Sequence, residues 1–179
     1  MKILAFAASN SIHSINKKFV QYVTGLIPFS DITILDLNDY EMPIYSIDRE
    51  QNMGIPNQSQ MFFKQIGKAD AVIISFAEHN GSYTVAYKNL IDWTSRIHQL
   101  IFQNKPALYL SASPGIGGAK NVLTIAVNSA ASFGAVLKSS FSIPNFFNNF
   151  NLEKNILTNP KLEKELKLAL SQLLSSTIP

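Results

Sequence analysis

Short apolar runs alternate along this chain with stretches whose apolar residues recur every three or four positions. Residues Ala71–Phe76 form an apolar run typical of a strand buried on both faces of a parallel sheet. Farther on, apolar residues at positions 86, 90, 93, 97 and 100 predict a helix over 84–102. The polar residues Glu78–Tyr83 connect the two. Such a loop is often only a solvated connection, but at the carboxyl end of a buried strand it is also where open α/β sheets bind ligands.

The same patterns predict the rest of the fold. Further strands are predicted over Lys2–Ala8, Asp31–Leu37, Lys105–Ser113 and Ala135–Ile143, and further helices over Ile15–Ile27, Asn57–Lys68, Ala119–Phe133 and Lys161–Leu174. The segments Asn38–Pro56 and Pro144–Asn151 have no clear periodicity and are predicted to be irregular, the first as a lid, a binding loop or a disordered segment.

Five strands that alternate with five helices predict a doubly wound parallel α/β sheet with helices on both faces. We expect a single domain over residues 1–179, a length sufficient for a sizeable core. Two strand orders remain open at this point: a half-Rossmann arrangement and the flavodoxin-like order 2-1-3-4-5.

Composition excludes several classes of function. The net charge is +3 and the lysines are scattered, so we expect no nucleic-acid partner. The chain has no cysteine, and its three histidines are isolated, so no metal site is expected. The first apolar run is short and is followed directly by polar residues, which favours a buried strand over a signal peptide. Since no apolar stretch is long enough to span a bilayer, we expect a cytoplasmic protein without membrane attachment.

In the 2-1-3-4-5 order, the carboxyl ends of strands 1, 3 and 4 are neighbours. They carry the loops Ser9–Asn16, Glu78–Tyr83 and Ser111–Gly118. The first loop has serine hydroxyls at a helix N-terminus, which suits a phosphate dianion, although an ordinary helix cap would look the same. No Gly-Lys-Ser/Thr follows it, which excludes a P-loop nucleotidase.

The third loop is rich in glycine, which allows either a tight turn or close approach of the backbone to a flat ligand. Asn80-Gly81 in the second loop is compatible with a simple turn. Taken together, phosphate donors beside a planar slot suit FMN. The chain has neither the Gly-x-Gly-x-x-Gly fingerprint nor the ribose-binding carboxylate of a dinucleotide site.

These loops resemble those of the NAD(P)H-dependent FMN reductases, a family that includes quinone, azo-dye and chromate reductases. The family pattern is Gly-Ser-x-Arg-x-x-Ser-x-Asn after strand 1, Pro-Glu-Tyr-Asn-x-Ser-x-Pro-Gly-x-Leu-Lys-Asn-x-Ile-Asp-Trp after strand 3, and a Ser-x-Ser-x-Gly-x-x-Gly-Gly-like loop after strand 4. The matching residues are Ser9, Ser14, Asn16, Glu78, Asn80, Ser82, Lys88, Asn89, Ile91, Asp92, Trp93, Ser113, Gly115, Gly117 and Gly118. The resemblance extends from Met1 to about Ile143, and the Lys-Asn-x-Ile-Asp-Trp string is its most specific part.

The resemblance implies a flavodoxin-like fold and an FMN site. The residues it places around the phosphate are Ser9, Ser11, Ser14, Ile15 and Asn16. The backbone of Glu78, His79, Asn80 and Gly81 would line the isoalloxazine on one side, and the loop containing Ser113, Gly115, Gly117 and Gly118 on the other. It also implies a homodimer or homotetramer formed through the 84–102 helix, in which Trp93 would lie at the contact or in the core.

The chain departs from the family pattern at several positions. Ser11 stands where the family has arginine, which removes a bidentate cationic partner of the phosphate. Other departures are Ala8 for Gly, Ala77 for Pro, His79 for Tyr and Thr84-Val85 for Pro-Gly. His13 or Lys17 is a candidate for compensating charge. We therefore expect weaker or more readily exchanging FMN.

The implied activity is hydride transfer from NAD(P)H as co-substrate to flavin N5, followed by reduction of a quinone-like or other small acceptor, or of free flavin. No catalytic side chain is required, because the flavin carries the chemistry. Two alternatives remain open. One is a flavodoxin-like electron carrier, and the other is a non-catalytic relative with weakened FMN binding.

Overall fold

The computed structural model describes residues 1–28 and 30–175, to which the following account is confined. In chain order, its strands are β1 (Lys2–Ala8), β2 (Asp31–Leu35), β3 (Ala71–Phe76), β4 (Glu78–His79), β5 (Ser82–Tyr83), β6 (Lys105–Ala112), β7 (Ala135–Ile143), β8 (Phe150–Asn151) and β9 (Ile156–Leu157). Its α-helices are α1 (Ile15–Gly25), α2 (Ile47–Met53), α3 (Asn57–Lys68), α4 (Val85–Thr94), α5 (Lys120–Ser129), α6 (Phe146–Asn149) and α7 (Pro160–Ser175).

A five-stranded parallel sheet in the order β2-β1-β3-β6-β7 forms the centre of the fold. This order confirms the predicted flavodoxin-like arrangement 2-1-3-4-5 and excludes the half-Rossmann alternative. Helices α1 and α7 pack on one face of the sheet, and α3, α4 and α5 pack on the other. Within residues 1–28 and 30–175, none of the helices combines the length and the apolar composition that a membrane span needs.

Helices on both faces explain why the strands read as continuous apolar runs. In β1, Ile3 and Ala5 pack with the residues of α1 and α7, whereas Leu4 and Phe6 pack on the opposite face. Every residue of β3 is buried for the same reason. The predicted bounds of β1, β3, β7 and α3 agree with the structure, and the predicted leucine face of α7 buries Leu166, Leu170 and Leu173.

The helix predicted over 84–102 is shorter than expected, because α4 ends at Thr94 and turns occupy residues 95–97 and 101–104. Hydroxyl groups compete for the last carbonyls of the helix: Thr94 Oγ1 donates to Leu90 O at 2.6 Å, and Ser95 Oγ donates to Asp92 O at 2.8 Å. Gln103 and Asn104 then adopt positive φ angles of 52° and 60°, which are incompatible with a helix. A surface formed by this helix is therefore limited to Val85–Thr94.

The prediction of an irregular segment over Asn38–Pro56 is wrong. A 3₁₀ turn covers Leu37–Tyr40, and α2 begins after Ser46, whose hydroxyl accepts a hydrogen bond from the Arg49 N–H. Helix α2 buries none of its residues, so its sequence has no apolar stripe that could have indicated a helix. The segment Pro144–Asn151, also predicted to be irregular, contains α6 and β8.

Two side chains of α4 hold the connection between β2 and α3 against the body of the protein. Asn89 Oδ1 accepts a hydrogen bond from the Tyr45 N–H at 2.8 Å, and Asn89 Nδ2 donates to Met42 O at 3.1 Å. Trp93, fully buried, donates from Nε1 to Pro43 O at 2.7 Å. Asn89 and Trp93 thus form a latch, and they belong to the most specific string of the family pattern.

We expect Asn89→Ala to release residues 42–46 from α4 and to lower the free energy of unfolding by about 1–2 kcal/mol, because the backbone groups of Met42 and Tyr45 lose their side-chain partners. Hydrogen exchange at residues 42–46 measures the release directly. Lys88→Ala is the matched control, since Lys88 makes only an exposed i,i+4 ion pair with Asp92. Unchanged exchange in the Asn89 variant would contradict the latch.

Candidate functional site

The sheet order brings the three predicted loops together. β1, β3 and β6 are adjacent and parallel, so the loops that follow them emerge at one edge of the sheet. These are residues 9–14, residues 77–84 and residues 113–119. This edge, where the strand order reverses between β1 and β3, is the usual place for a ligand in a doubly wound sheet.

The first loop ends in a conventional helix cap. The Ser14 hydroxyl accepts a hydrogen bond from the Lys17 N–H at 3.3 Å, and the Ser9 hydroxyl accepts one from the Ser11 N–H at 3.2 Å. The N–H groups of Ile15 and Asn16 lie in the first turn of α1, where no intrahelical acceptor is available. The loop therefore presents backbone donors at the positive end of a helix dipole, while Ser11 is exposed.

The side chain of Asn16 points into the sheet. Asn16 Oδ1 accepts hydrogen bonds from Ser75 Oγ at 2.7 Å and from the Ala112 N–H at 3.0 Å, and Asn16 Nδ2 donates to Ala112 O at 3.2 Å. All three residues are buried. The amide ties the start of α1 to the carboxyl ends of β3 and β6, which leaves only the backbone N–H of Asn16 for a ligand.

Lys17, a candidate source of compensating charge, forms an ion pair with Asp36 just beyond the end of β2. The hydrogen bond from the Lys17 ammonium holds the pKa of the Asp36 carboxyl below its usual value. The carboxylate thus offsets charge that Lys17 would otherwise bring to the first loop. His13, the other candidate, is exposed in the loop itself.

The second loop is a β-hairpin formed by β4 and β5, which the sequence analysis did not predict as strands. Asn80 and Gly81 have φ angles of 52° and 78°, the two positive values that a type I′ turn requires. The predicted turn is therefore confirmed, and His79 and Asn80 are exposed on it. Thr84 follows the hairpin and is buried; its hydroxyl donates to Ala8 O at 3.0 Å and accepts from the Tyr87 N–H at 3.2 Å.

Glu78 connects the second loop to the third. Its carboxylate accepts a hydrogen bond from the Val122 N–H at 3.0 Å and one from Asn121 Nδ2 at 3.4 Å, both in the first turn of α5. The residue before α5, Ala119, has a left-handed conformation and supplies no side-chain cap. The Glu78 carboxylate replaces that cap and, being negative, is favourable at a helix N-terminus.

The glycines of the third loop serve two purposes. Gly118 has a φ of 62°, and a Cβ atom there would lie 2.2 Å from Ser142 Oγ, so glycine is required for packing. Gly115 and Gly117 are exposed, and a Cβ atom at either would meet nothing within 4 Å. The Ser113 hydroxyl donates to Gly115 O at 3.2 Å within the loop. Open space at Gly115 and Gly117 leaves their backbone accessible to a flat ligand.

Sequence reasoning missed the roles of Thr84 and Asn89. Thr84 was noted only as a departure from the family pattern, although Ser/Thr before an apolar helical stretch is a helix-start signal. Asn89 was noted within the Lys-Asn-x-Ile-Asp-Trp string without a partner. Its acceptors and donors lie 44 to 47 residues away in the chain, and no local pattern could have identified them.

Comparison with known families agrees with this geometry. A sequence profile of the family described as NADPH-dependent FMN reductase matches residues 1–148. The chain therefore belongs to the NADPH-dependent FMN reductase family. The matched region contains all three loops of the site and the latch on α4.

The chain is similar to individual reductases over part of their length. It is 34% identical over 116 residues to an NAD(P)H-dependent FMN reductase of Pseudomonas aeruginosa. This alignment covers 64% of this chain and 61% of that protein. It is 38% identical over 81 residues to a quinone reductase of Escherichia coli, covering 45% of this chain and 43% of that protein. The matches thus span about half the length of these relatives.

Solved structures with low sequence identity share the fold. A flavoenzyme NAD(P)H:(acceptor) oxidoreductase of Paracoccus denitrificans superposes with a TM-score of 0.75 at 23% identity, covering 97% of both chains. An FMN-dependent NADH-azoreductase of Bacillus anthracis, solved in complex with FMN, superposes with a TM-score of 0.63 at 13% identity, covering 99% of both chains.

We expect Asn16→Ala to lower the free energy of unfolding by about 3 kcal/mol, because the buried hydroxyl of Ser75 and the backbone groups of Ala112 lose their partner. Denaturant titration of the flavin-free protein measures the change. Asn10→Ala in the exposed part of the same loop is the control and should cost less than about 0.5 kcal/mol. Equal losses in the two variants would contradict the structural role of Asn16.

Proposed function

We propose that this protein is an FMN-dependent NAD(P)H oxidoreductase that passes reducing equivalents to a quinone-like or other small acceptor, or to free flavin. The observation that carries the proposal is the convergence of the three family loops at one sheet edge, where they offer hydroxyl and backbone donors beside an exposed glycine backbone. The similarity to an NAD(P)H-dependent FMN reductase of Pseudomonas aeruginosa and a quinone reductase of Escherichia coli supports it.

The residues present suit FMN by the chemistry of their donors. The hydroxyls of Ser9, Ser11 and Ser14 would hold the phosphate together with the backbone N–H groups of Ile15 and Asn16. The backbone of Glu78, His79, Asn80 and Gly81 would lie on one side of the isoalloxazine, and Ser113, Gly115, Gly117 and Gly118 on the other. Glu78 would keep these two loops at a constant separation through its contact with α5.

When bound, FMN supplies a hydride acceptor at N5 and returns the hydride to a second substrate. The chain's own residues bind and orient, and we assign no catalytic side chain. His79 is exposed on the hairpin and would line the wall of the site. Binding of the phosphate would rely on neutral donors, because Ser11 replaces the arginine and Lys17 is paired with Asp36.

We further propose that residues 1–179 act as one domain, in the cytoplasm, as a homodimer or homotetramer. The subunit contact would use the exposed side of α4, where Lys88 and Asp92 form an ion pair. Trp93 is fully buried within the protomer and would not take part in this contact.

The decisive experiment is titration of the flavin-free protein with FMN, followed by NADPH and NADH oxidation with a quinone. Dissociation constants in the micromolar range or below, with turnover that requires FMN, are the expected result. Two alternatives give other outcomes. A flavodoxin-like electron carrier would bind FMN but show no hydride transfer from NADPH in stopped-flow measurements. A non-catalytic relative, favoured by Ser11 and by the Lys17–Asp36 pair, would not quench FMN fluorescence.

We expect Ser11→Arg to strengthen FMN binding about tenfold, because a guanidinium would gain charged hydrogen bonds to the phosphate. Riboflavin, which lacks the phosphate, should bind unchanged, and the gain should shrink as salt is added. Ile12→Arg, at the next exposed position, controls for general positive charge and should change FMN affinity less than about threefold. Equal strengthening of FMN and riboflavin would contradict the proposed phosphate position.

A further inference from the structure

A cleft of about 290 Å³ lies beside the three loops, between the connection after β2 and the start of α4. Leu37, Tyr40 and Met42, all at most 9% exposed, form an apolar floor, and Asn38, Thr84 and Asn89 add polar groups to the lining. Asn10 of the first loop and His79 of the hairpin contribute to its rim. The cleft therefore adjoins the proposed flavin site. Of the residues assigned to FMN, His79 also lines the cleft.

The latch fixes one wall of this cleft. Asn89 and Trp93 of α4 bind the backbone of residues 42, 43 and 45, and these contacts fix the Met42–Ile44 wall in place relative to α4. Arg96 adds support from outside, since its Nε donates to Glu50 Oε2 at 2.9 Å and Glu50 accepts a hydrogen bond from the Tyr45 hydroxyl at 3.0 Å. A wall held by this many bonds is typical of a largely preformed ligand site.

The size and charge of the cleft restrict its occupant. A volume of about 290 Å³ is near the lower limit for ligand pockets and suits one or two fused rings rather than a whole dinucleotide. Among the described residues that line it, the acidic and basic side chains are those of Glu41 and His79. Burial raises the pKa of the Tyr40 phenol, which therefore stays neutral. With a carboxylate on its rim and no lysine or arginine, the cleft is unfavourable for an anion.

We propose that this cleft is the subsite for the electron acceptor, and that Glu41 makes it select uncharged ring-bearing acceptors over anionic ones. The inference rests on the proposed function, of which it names the acceptor class. The apolar floor would take the ring, and the exposed side chains of Asn10 and His79 would face its polar substituents. Glu41 is exposed at the rim and would repel a sulfonate or carboxylate on the ring.

Glu41→Lys tests the charge selection, with 1,4-naphthoquinone and 1,2-naphthoquinone-4-sulfonate as probes. We expect kcat/KM for the sulfonate to rise at least threefold at low salt, while the value for the uncharged quinone changes less than twofold. Asp39→Lys is the matched control, because Asp39 is an exposed acid of the same segment that does not line the cleft. An equal effect of the two substitutions on the sulfonate would overturn the proposal.

Val85→Phe tests the location, because Val85 is 68% exposed and lines the cleft, so the larger side chain fills space without disturbing the core. Because Val85 also lies on the exposed side of α4 proposed for the subunit contact, the variant and the parent protein are compared at the same oligomeric state, checked by sedimentation. We expect the KM for 1,4-naphthoquinone to rise at least fivefold, with the FMN dissociation constant and the KM for NADPH unchanged. Ile125→Phe, on the exposed side of α5, is the control. An unchanged KM for the quinone, or a raised KM for NADPH alone, would overturn the proposal.

A binding measurement separates this inference from the proposed function. Trp93 is the single tryptophan of the chain and donates to Pro43 O behind the cleft wall, so quenching of its fluorescence reports quinone binding without turnover. Suppose that 1,4-naphthoquinone quenches the Trp93 fluorescence, that Val85→Phe weakens this quenching, and that the protein does not oxidise NADPH. This result would refute the proposed function and retain the cleft as a quinone site. If the protein oxidises NADPH with a quinone but Val85→Phe leaves the quenching unchanged, the cleft is not the acceptor subsite and the proposed function stands.

Discussion

The buried amide of Asn16 is the interaction on which the site edge of this protein depends. It joins the first turn of α1 to Ser75 at the end of β3 and to both backbone groups of Ala112 at the end of β6. Strand pairing alone aligns β1, β3 and β6, but the chain leaves the sheet at three separate points. Asn16 belongs to α1, the helix that follows β1, and its side chain binds groups at the ends of β3 and β6. One residue therefore fixes the starting points of all three loops relative to one another.

Other side chains extend this arrangement outwards from the sheet. Thr84 connects the end of the hairpin to the carbonyl of Ala8, and Glu78 connects the start of the hairpin to the first turn of α5. Each of these residues satisfies backbone groups that would otherwise lack a partner at a strand end or helix end. The loops themselves then remain exposed at Ser11, Asn80 and Gly115, where a ligand can reach them. The site is thus rigid at its base and accessible at its surface.

Charge distinguishes this member of the family from the family pattern. Ser11 provides no cation in the first loop, and Lys17 in the first turn of α1 is paired with Asp36. The cleft beside the loops has a carboxylate on its rim and no lysine or arginine among its described residues. On the proposed function, the phosphate would therefore be held without an arginine in the first loop, and a ring in the cleft would meet neutral groups and one carboxylate.

The sequence by itself determined a doubly wound parallel α/β sheet, because a parallel sheet covered on both faces requires buried apolar runs at regular intervals. The apolar pattern left two strand orders open; the resemblance of the loops to a known family favoured the order 2-1-3-4-5, which the structure confirms. It also indicated the Asn80-Gly81 turn, whose backbone angles only a few residue types adopt. The end of α4 was predicted incorrectly because apolar residues recur at positions 97 and 100 although the helix ends at Thr94. Only the tertiary structure decided that Asn16 serves the sheet, that Glu78 caps α5 and that Asn89 holds a segment more than 40 residues away. These roles depend on which polar groups meet after the chain has folded, and a local pattern of residues contains no record of such distant partners.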